Sequence, residues 1–397
     1  MAASVILAVD QSTAGTKAVV FDRQAQIRGK VLLNHAQHYP QPGWVEHDPE
    51  EIMANTELAM EQALAAAGCT WADVAAIGLS NQRETVLLWD RATGKAVYSA
   101  IVWQDGRAAA LCRALEPEYD YLRRVTGLEP SPFFAAPKAA WILQADPALR
   151  ARAERGELAM GTVDSFLLWR LTGGRVHRTD VTNASRTLLL NLRELRWDER
   201  AFELFGLPLS LAPEIVMSDG CRAVTAGCSR IPDGIPIAAM LGDSHAALFG
   251  QCCFTPGSAK VTLGTGSSVM MNTGAEVVAS RHGLVASVAY GQGGEVCYCL
   301  EGNINTTGGI IKWFCEQLGI LDKPASAGKV AATLPDNGGV YLVPALAGLA
   351  APHWKPEARA SFVGMTSGTT RAHLVRAGEE AIAYQITDVL RAMEQDT

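Results

Sequence analysis

The stretch Leu7-Ala8-Val9-Asp10-Gln11-Ser12-Thr13-Ala14-Gly15-Thr16-Lys17-Ala18-Val19-Val20-Phe21-Asp22 decides the fold. Two apolar runs flank a short polar turn rich in Gly, Ser and Thr, and Asp10 stands at the C-terminal end of the first run. Backbone N–H groups gathered in such a turn can cradle phosphate oxygens. A carboxylate beside them is placed to hold the hydrated Mg2+ that accompanies a nucleotide. By itself the stretch reads equally well as an ordinary β-hairpin with a soluble turn.

A second passage changes that balance. Ser258-Ala259-Lys260-Val261-Thr262-Leu263-Gly264-Thr265-Gly266-Ser267-Ser268-Val269-Met270-Met271 is again an apolar strand, a Gly-Thr-Gly turn and an apolar strand. Two such turns far apart in one chain imply a duplicated fold whose halves address a single nucleotide. Between them the pattern alternates. Asp48 caps a helix with Pro49 at its first position and Glu51 completing a D-x-x-E box, and Gly68 stops it. Residues 75–80 form a buried strand that ends in Asn81-Gln82-Arg83-Glu84; residues 85–90 resume strand pattern, and residues 91–95 turn back. Helical segments dominate from 105 to 170. A Pro/Gly-rich stretch at 231–236 leads into the apolar strand 237–241, which passes through Gly242-Asp243 into a helix. Hairpins alternating with helices predict an α/β fold with a mixed sheet. The domain boundary is placed near residue 251, giving domains 1–250 and 251–397.

Composition narrows the class. The 397 residues, 48% apolar and 19% charged, allow two or three ordinary globular domains. With 34 Lys+Arg against 41 Asp+Glu the net charge is −7, which argues against a nucleic-acid surface. Nine scattered cysteines without a C-x-x-C pair read as reduced thiols of a cytoplasmic protein. No apolar run approaches the roughly 18 residues that span a bilayer, so no membrane partner is expected.

Three further places carry chemistry. Asp243 stands between an apolar strand and a helix start, where α/β proteins put reactive groups; it would equally cap that helix. Arg83-Glu84 ends a buried strand, with a surface ion pair as the alternative. Trp103 follows Ile101-Val102, and a lone Trp is usually core.

Together these residues resemble the FGGY family of carbohydrate kinases, and within it the glycerol kinases. The likeness is carried by Asp10-Gln11-Ser12-Thr13, Pro42-Gly43-Trp44-Val45-Glu46-His47-Asp48-Pro49, Ser80-Asn81-Gln82-Arg83-Glu84-Thr85 and Ala100-Ile101-Val102-Trp103-Gln104. It continues in Gly161-Thr162-Val163-Asp164, Thr182-Asn183-Ala184-Ser185-Arg186-Thr187, Gly242-Asp243, Gly264-Thr265-Gly266 and Leu300-Glu301-Gly302, so it covers essentially the whole chain. The resemblance implies the actin-like ATPase fold, two RNase-H-like domains with a nucleotide cleft, an N-terminal domain for substrate and phosphates and an incomplete C-terminal domain for the nucleotide. It implies transfer of the ATP γ-phosphoryl group to a terminal hydroxyl of glycerol or a close short polyol, with ATP and Mg2+ as cofactors.

The same resemblance assigns the residues. Asp10 holds Mg2+, while Thr13, Ala14, Gly15, Gly264, Thr265 and Gly266 donate N–H groups to the phosphates and Lys17 adds charge. Gly308 and Lys312 match positions that approach the nucleotide. Asp243 is the general base, Arg83 and Glu84 bind the substrate hydroxyls, and Trp103 packs against the carbon chain. Other pocket positions depart from the glycerol kinases. Ser268 stands where a ring usually opposes the Trp, Phe133 where a Tyr stands, and Ser244-His245 where two glutamines stand. A larger, more polar pocket follows, with four- or five-carbon polyols or ketoses (erythritol, erythrulose, xylulose) as alternative substrates and His245 free to bond an extra hydroxyl or to serve as an ordinary helix residue.

Family members also continue beyond the position of Thr397, where their adenosine loop lies, and Glu379 falls at a usually apolar position. The helix around 380–393 carries Ile382, Ile386, Val389, Leu390 and Met393 on one face, a stripe that needs a partner. The corresponding alternative is a fragment that binds ligand without catalysis. A chaperone or filament ATPase of the same fold is disfavoured by Arg83-Glu84 and Trp103. Homo-oligomerisation is left open.

Overall fold

A computed structural model describes residues 4–355 and 357–397 of the chain. They fall into two compact units, one running to Phe249 and including Ser287–Cys297, the other comprising Gly250–Ala286 and Tyr298–Thr397.

In the first unit, β1 (Val5–Gln11), β2 (Gly15–Phe21) and β3 (Ile27–Asn34) form an antiparallel meander. Alternation puts Val5, Leu7 and Val9 into the core. Helix α1 (Pro49–Ala67) packs over β2 and β3. Its backbone comes so close that a Cβ on Gly29 would lie 2.6 Å from the Ala63 carbonyl oxygen. The helix starts as the sequence predicts, with Asp48 accepting the Glu50 N–H and Pro49 at the first position, and stops at Gly68 with φ 65°. The expected D-x-x-E box does not close as drawn. Glu51 instead accepts the Ala36 N–H at 3.2 Å, because the chain leaving β3 offers it a donor.

The predicted strand at 75–80 is β4 (Val74–Asn81), and that at 85–90 is β5 (Val86–Asp90). β5 belongs to a separate small sheet with Glu46–His47, Ala100–Ile101 and β6 (Leu158–Thr162). β4 runs parallel to β1, and β7 (Pro236–Gly242) runs parallel to β4 on its other side. In register, Asp10 lies beside Ser80, and Gly242 beside Asn81. Three parallel strands therefore deliver their C-terminal residues to one sheet edge, where open α/β sheets bind ligands. α2 (Asp243–Gly250) leaves that edge directly.

In the second unit, β8 (Ala259–Leu263), β9 (Ser267–Gly274) and β10 (Glu295–Ile304) pair antiparallel in that order. α3 (Gly308–Glu316) follows, and the chain closes on the 26-residue α4 (Arg371–Asp396). The apolar stripe of α4 finds its cover. Val389 and Met393 are buried, Ile382 joins a core of Ile310, Phe314, Leu342 and Val375, and Gly378 admits the Phe314 ring. Among the described residues no helix is long and apolar enough to cross a membrane.

Candidate active site

The turn between β1 and β2 is built so that its tip faces outward. Ser12 N–H and Oγ both bond to the Gly15 carbonyl, at 2.9 and 2.8 Å. The Thr13 carbonyl is taken by His35 Nε2 at 2.9 Å and Gln37 Nε2 at 3.2 Å. Gly15 is required by packing, since a Cβ there would stand 2.5 Å from the Leu33 carbonyl oxygen. Among the described residues the Thr13 and Ala14 N–H groups meet no backbone acceptor, so they remain at the tip. Asp10 accepts from Ser80 Oγ at 3.3 Å and faces Lys17 Nζ at 3.6 Å, both side chains partly exposed. This donor set, one open carboxylate beside tip amides and a cation, fits a phosphate with a hard divalent ion.

The β8–β9 turn repeats the design. Gly264 N–H closes on the Gly266 carbonyl at 3.0 Å, and a Cβ on Gly266 would lie 2.6 Å from the Ile304 carbonyl oxygen. The Gly308 N–H bonds to the Gly264 carbonyl at 2.9 Å, so the turn is fastened to the start of α3. Gly264 and Thr265 are exposed at its tip. Lys312, on α3, is exposed and faces Glu316 at 3.7 Å.

Arg83 and Glu84 leave the end of β4 and are almost wholly buried. Thr85 N–H bonds to the Arg83 carbonyl at 2.7 Å, a γ-turn that forces Glu84 to φ 60°. A non-glycine residue held there stores strain, which persists where surrounding contacts over-determine it. Those contacts are ionic. Arg186 Nε meets Glu84 Oε1 at 2.6 Å, Arg83 Nε lies 3.9 Å from the same oxygen, and Arg83 Nε lies 3.3 Å from Asp243 Oδ1. The result is a row of alternating charge, Arg186, Glu84, Arg83, Asp243.

Asp243 sits at the head of α2 and accepts the Ser244 N–H at 2.6 Å. The protein packed around it raises its pKa above the ordinary aspartate value; Arg83 opposes this, and Glu84 and Asp10 reinforce it. With 41% of its side chain still exposed, it can reach a ligand. A buried carboxylate network fixes the turn that carries it. Asp164 accepts from Thr179 Oγ1 at 2.7 Å and from the Asp180 N–H at 3.3 Å; Asp180 accepts from Thr182, whose Oγ1 accepts the Gly242 N–H at 2.9 Å. Burial, reinforced by Asp180, lifts Asp164 to about 6. Gly242 itself must be small, because the Arg83 stem passes directly over it.

Trp103 and Phe133 face each other edge to face with ring centroids 5.5 Å apart, both half-buried. Trp103 Nε1 donates to Thr13 Oγ1 at 2.8 Å, tying this apolar pair to the β1–β2 turn. The first unit thus gathers Asp10, Thr13, Arg83, Glu84, Trp103, Phe133 and Asp243, while Gly264, Thr265, Gly266, Ser268, Gly308 and Lys312 belong to the second. Ser244 is half-buried beside Asp243. His245 is fully buried, its Nε2 3.3 Å from Ser287 Oγ. Ser268 is buried with its hydroxyl on Glu301 Oε1 at 2.8 Å. The sequence alone assigns no role to Arg186 or Lys138; Lys138 is a lone charge in an apolar run, a signal that marks it, whereas Arg186 stands in a polar stretch that does not.

An open carboxylate beside an anion-ready turn, with a row of alternating charge that ends in Asp243 at the same sheet edge, suits a small-molecule kinase on an α/β scaffold. The chain belongs to the FGGY family of carbohydrate kinases, matching its N-terminal domain over residues 5–250 and its C-terminal domain over 259–397. It is 48% identical over 393 residues to the glycerol kinase of Alkalilimnicola ehrlichii, covering 98% of this chain and 79% of that one. To the glycerol kinase of Carboxydothermus hydrogenoformans it is 46% identical over 394 residues, 99% and 79% of the two chains. Among solved structures, Plasmodium falciparum glycerol kinase with ADP superposes with a TM-score of 0.92 at 37% identity, covering 99% of this chain and 79% of that one. Xylulose kinase from Lactobacillus acidophilus shares the fold, with a TM-score of 0.85 at 21% identity and coverage of 98% and 78%.

Proposed function

We propose that this protein transfers the γ-phosphoryl group of ATP to a terminal hydroxyl of glycerol. The observation that carries the reading is Asp243, 3.3 Å from Arg83, at the sheet edge that also carries Asp10. Its near-full-length likeness to glycerol kinases supports the choice of substrate.

In this reading glycerol lies with its carbon chain against the apolar wall that Trp103 and Phe133 form by packing edge to face. Arg83 donates to its hydroxyls, and Glu84, braced by Arg186, accepts from them. Asp243 takes the proton of the terminal hydroxyl as its oxygen forms the new O–P bond and the bond to the ADP oxygen breaks. Its raised pKa brings the carboxylate nearer in basicity to the proton it receives. Phosphoryl transfer has a loose transition state, so positioning and charge neutralisation are the main contributions. Thr13, Ala14 and Gly15, with Lys17, are assigned to the phosphates. Gly264, Thr265, Gly266, Gly308 and Lys312 are assigned to the nucleotide because the second turn repeats the closure of the first. Asp10 would hold Mg2+, which when bound neutralises phosphate charge. Ser244, His245 and Ser268 are assigned to the substrate surroundings, and the protein is assigned to the cytoplasm, in keeping with nine scattered cysteines that lack a C-x-x-C pair.

A coupled ADP-release assay tests the reading with glycerol, erythritol, erythrulose, xylulose and ribulose. The highest kcat/KM is expected for glycerol. Absence of turnover with every compound would sink the kinase reading, and a preference for a longer compound would move the substrate.

A further inference from the structure

Beneath the polyol-facing residues lies a charge that the reaction does not use. Lys138 belongs to the helix Ala135–Ala145, among Ala136, Pro137, Ala139 and Ala140, and is fully buried. Its Nζ donates to the carbonyls of Pro132, at 3.2 Å, and Phe133. Among the described residues no carboxylate lies within ion-pair distance of that ammonium. A buried cation without a paired anion is costly, and a methionine of similar length would fill the same space without that cost. Packing therefore does not explain the charge, whereas its two acceptors do.

Those acceptors belong to the segment that presents the Phe133 ring to Trp103. The same segment is joined to the stretch that braces Glu84. Ala136 N–H bonds to the Thr187 carbonyl at 3.0 Å, and the Arg186 guanidinium lies 5.1 Å from the Phe134 ring centre. Phe133 and Glu84 thus share one buried support, and Lys138 is the cation that pins its Phe133 end.

We propose that Lys138 is a positioning residue for the substrate: by holding the Pro132 and Phe133 carbonyls it fixes the Phe133 ring against Trp103, and with it the apolar wall on which the carbon chain rests. The inference rests on the site reading given above. Burial brings Lys138 down to about 7, opposed by the charge of Glu84, Asp105 and Cys112, the titratable groups that face it. A neutral amine still reaches both carbonyls but without charge assistance, so grip on the substrate weakens as pH rises through that region.

The test compares wild type with Lys138→Met in steady-state assays between pH 6 and 8.5, varying glycerol and ATP separately. Lys138→Met is expected to raise the glycerol KM at least tenfold, leave the ATP KM and kcat within twofold, and abolish the rise of glycerol KM with pH. A glycerol KM within twofold of wild type, or equal rises in both KM values, overturns the proposal. If the variant does not fold, wild type decides, because a glycerol KM flat across this pH range also overturns it. Wild type that turns over no polyol defeats the kinase reading itself, whereas an active wild type with an indifferent Lys138→Met defeats this inference alone.

Discussion

Gly242→Ala is a one-carbon change whose effect follows from distances. A Cβ at Gly242 would lie 2.7 Å from Arg83 Cγ, 2.8 Å from its Cδ and 3.0 Å from His245 Nδ1. Ordinary contact begins at 3.4 Å, so the Arg83 stem must retreat by 0.7 Å or more. It cannot swing freely into solvent, because Arg83 is only 6% exposed. The displaced guanidinium leaves the 3.3 Å contact with Asp243 and the 3.9 Å contact with Glu84. Overpacking of this kind costs about 1–3 kcal/mol of stability. A misplacement near 1 Å in a positioned group costs up to about 100-fold in rate. We expect kcat/KM for glycerol to fall roughly 10- to 100-fold, read by ADP release, with a lower denaturation midpoint read by circular dichroism. A Gly242→Ala enzyme with wild-type kcat/KM and midpoint would refute the placement of Arg83 over this residue.

Further perturbations separate the roles. Asp243→Asn should lower kcat by about 10²- to 10⁴-fold while glycerol binding by calorimetry changes little; retained turnover would remove Asp243 as base. Under the proposed role Asp243 must be deprotonated, and its pKa is raised, so the acid limb of the wild-type pH–rate profile should lie above that of an ordinary aspartate, with activity lost as pH falls through it. Arg186→Gln leaves the buried Glu84 with the longer Arg83 contact and should destabilise by about 3 kcal/mol in denaturant unfolding; a loss below about 1 kcal/mol would show that the pair is not holding Glu84. Asp10→Asn should raise the Mg2+ concentration for half-maximal rate at least tenfold without altering calorimetric glycerol affinity, and an unchanged Mg2+ requirement would dismiss Asp10 as the ligand.

Much of this architecture was legible before any coordinates. The ends of α1 follow from Asp48, Pro49 and Gly68, because capping and a left-handed stop depend on residues a few positions apart. The two turns were readable because each is a short apolar–polar–apolar period with glycines where the backbone is crowded. The passage from strand to helix at Gly242-Asp243 showed in the same way. Glu51 illustrates the limit. Its spacing suggests a capping box, yet a donor from the exit of β3 takes its carboxylate.

The linear order of residues determined where strands, caps and turns form and which carboxylates and glycines stand at their ends. Only the tertiary structure decided that Arg186 would brace Glu84, that Ala136 would bond to Thr187, and that β1, β4 and β7 would bring their ends to one edge. Local elements answer to periodicity over a few residues. Partners so distant in the chain are chosen by which strands and helices pack side by side, a global free-energy choice that no short window of residues contains.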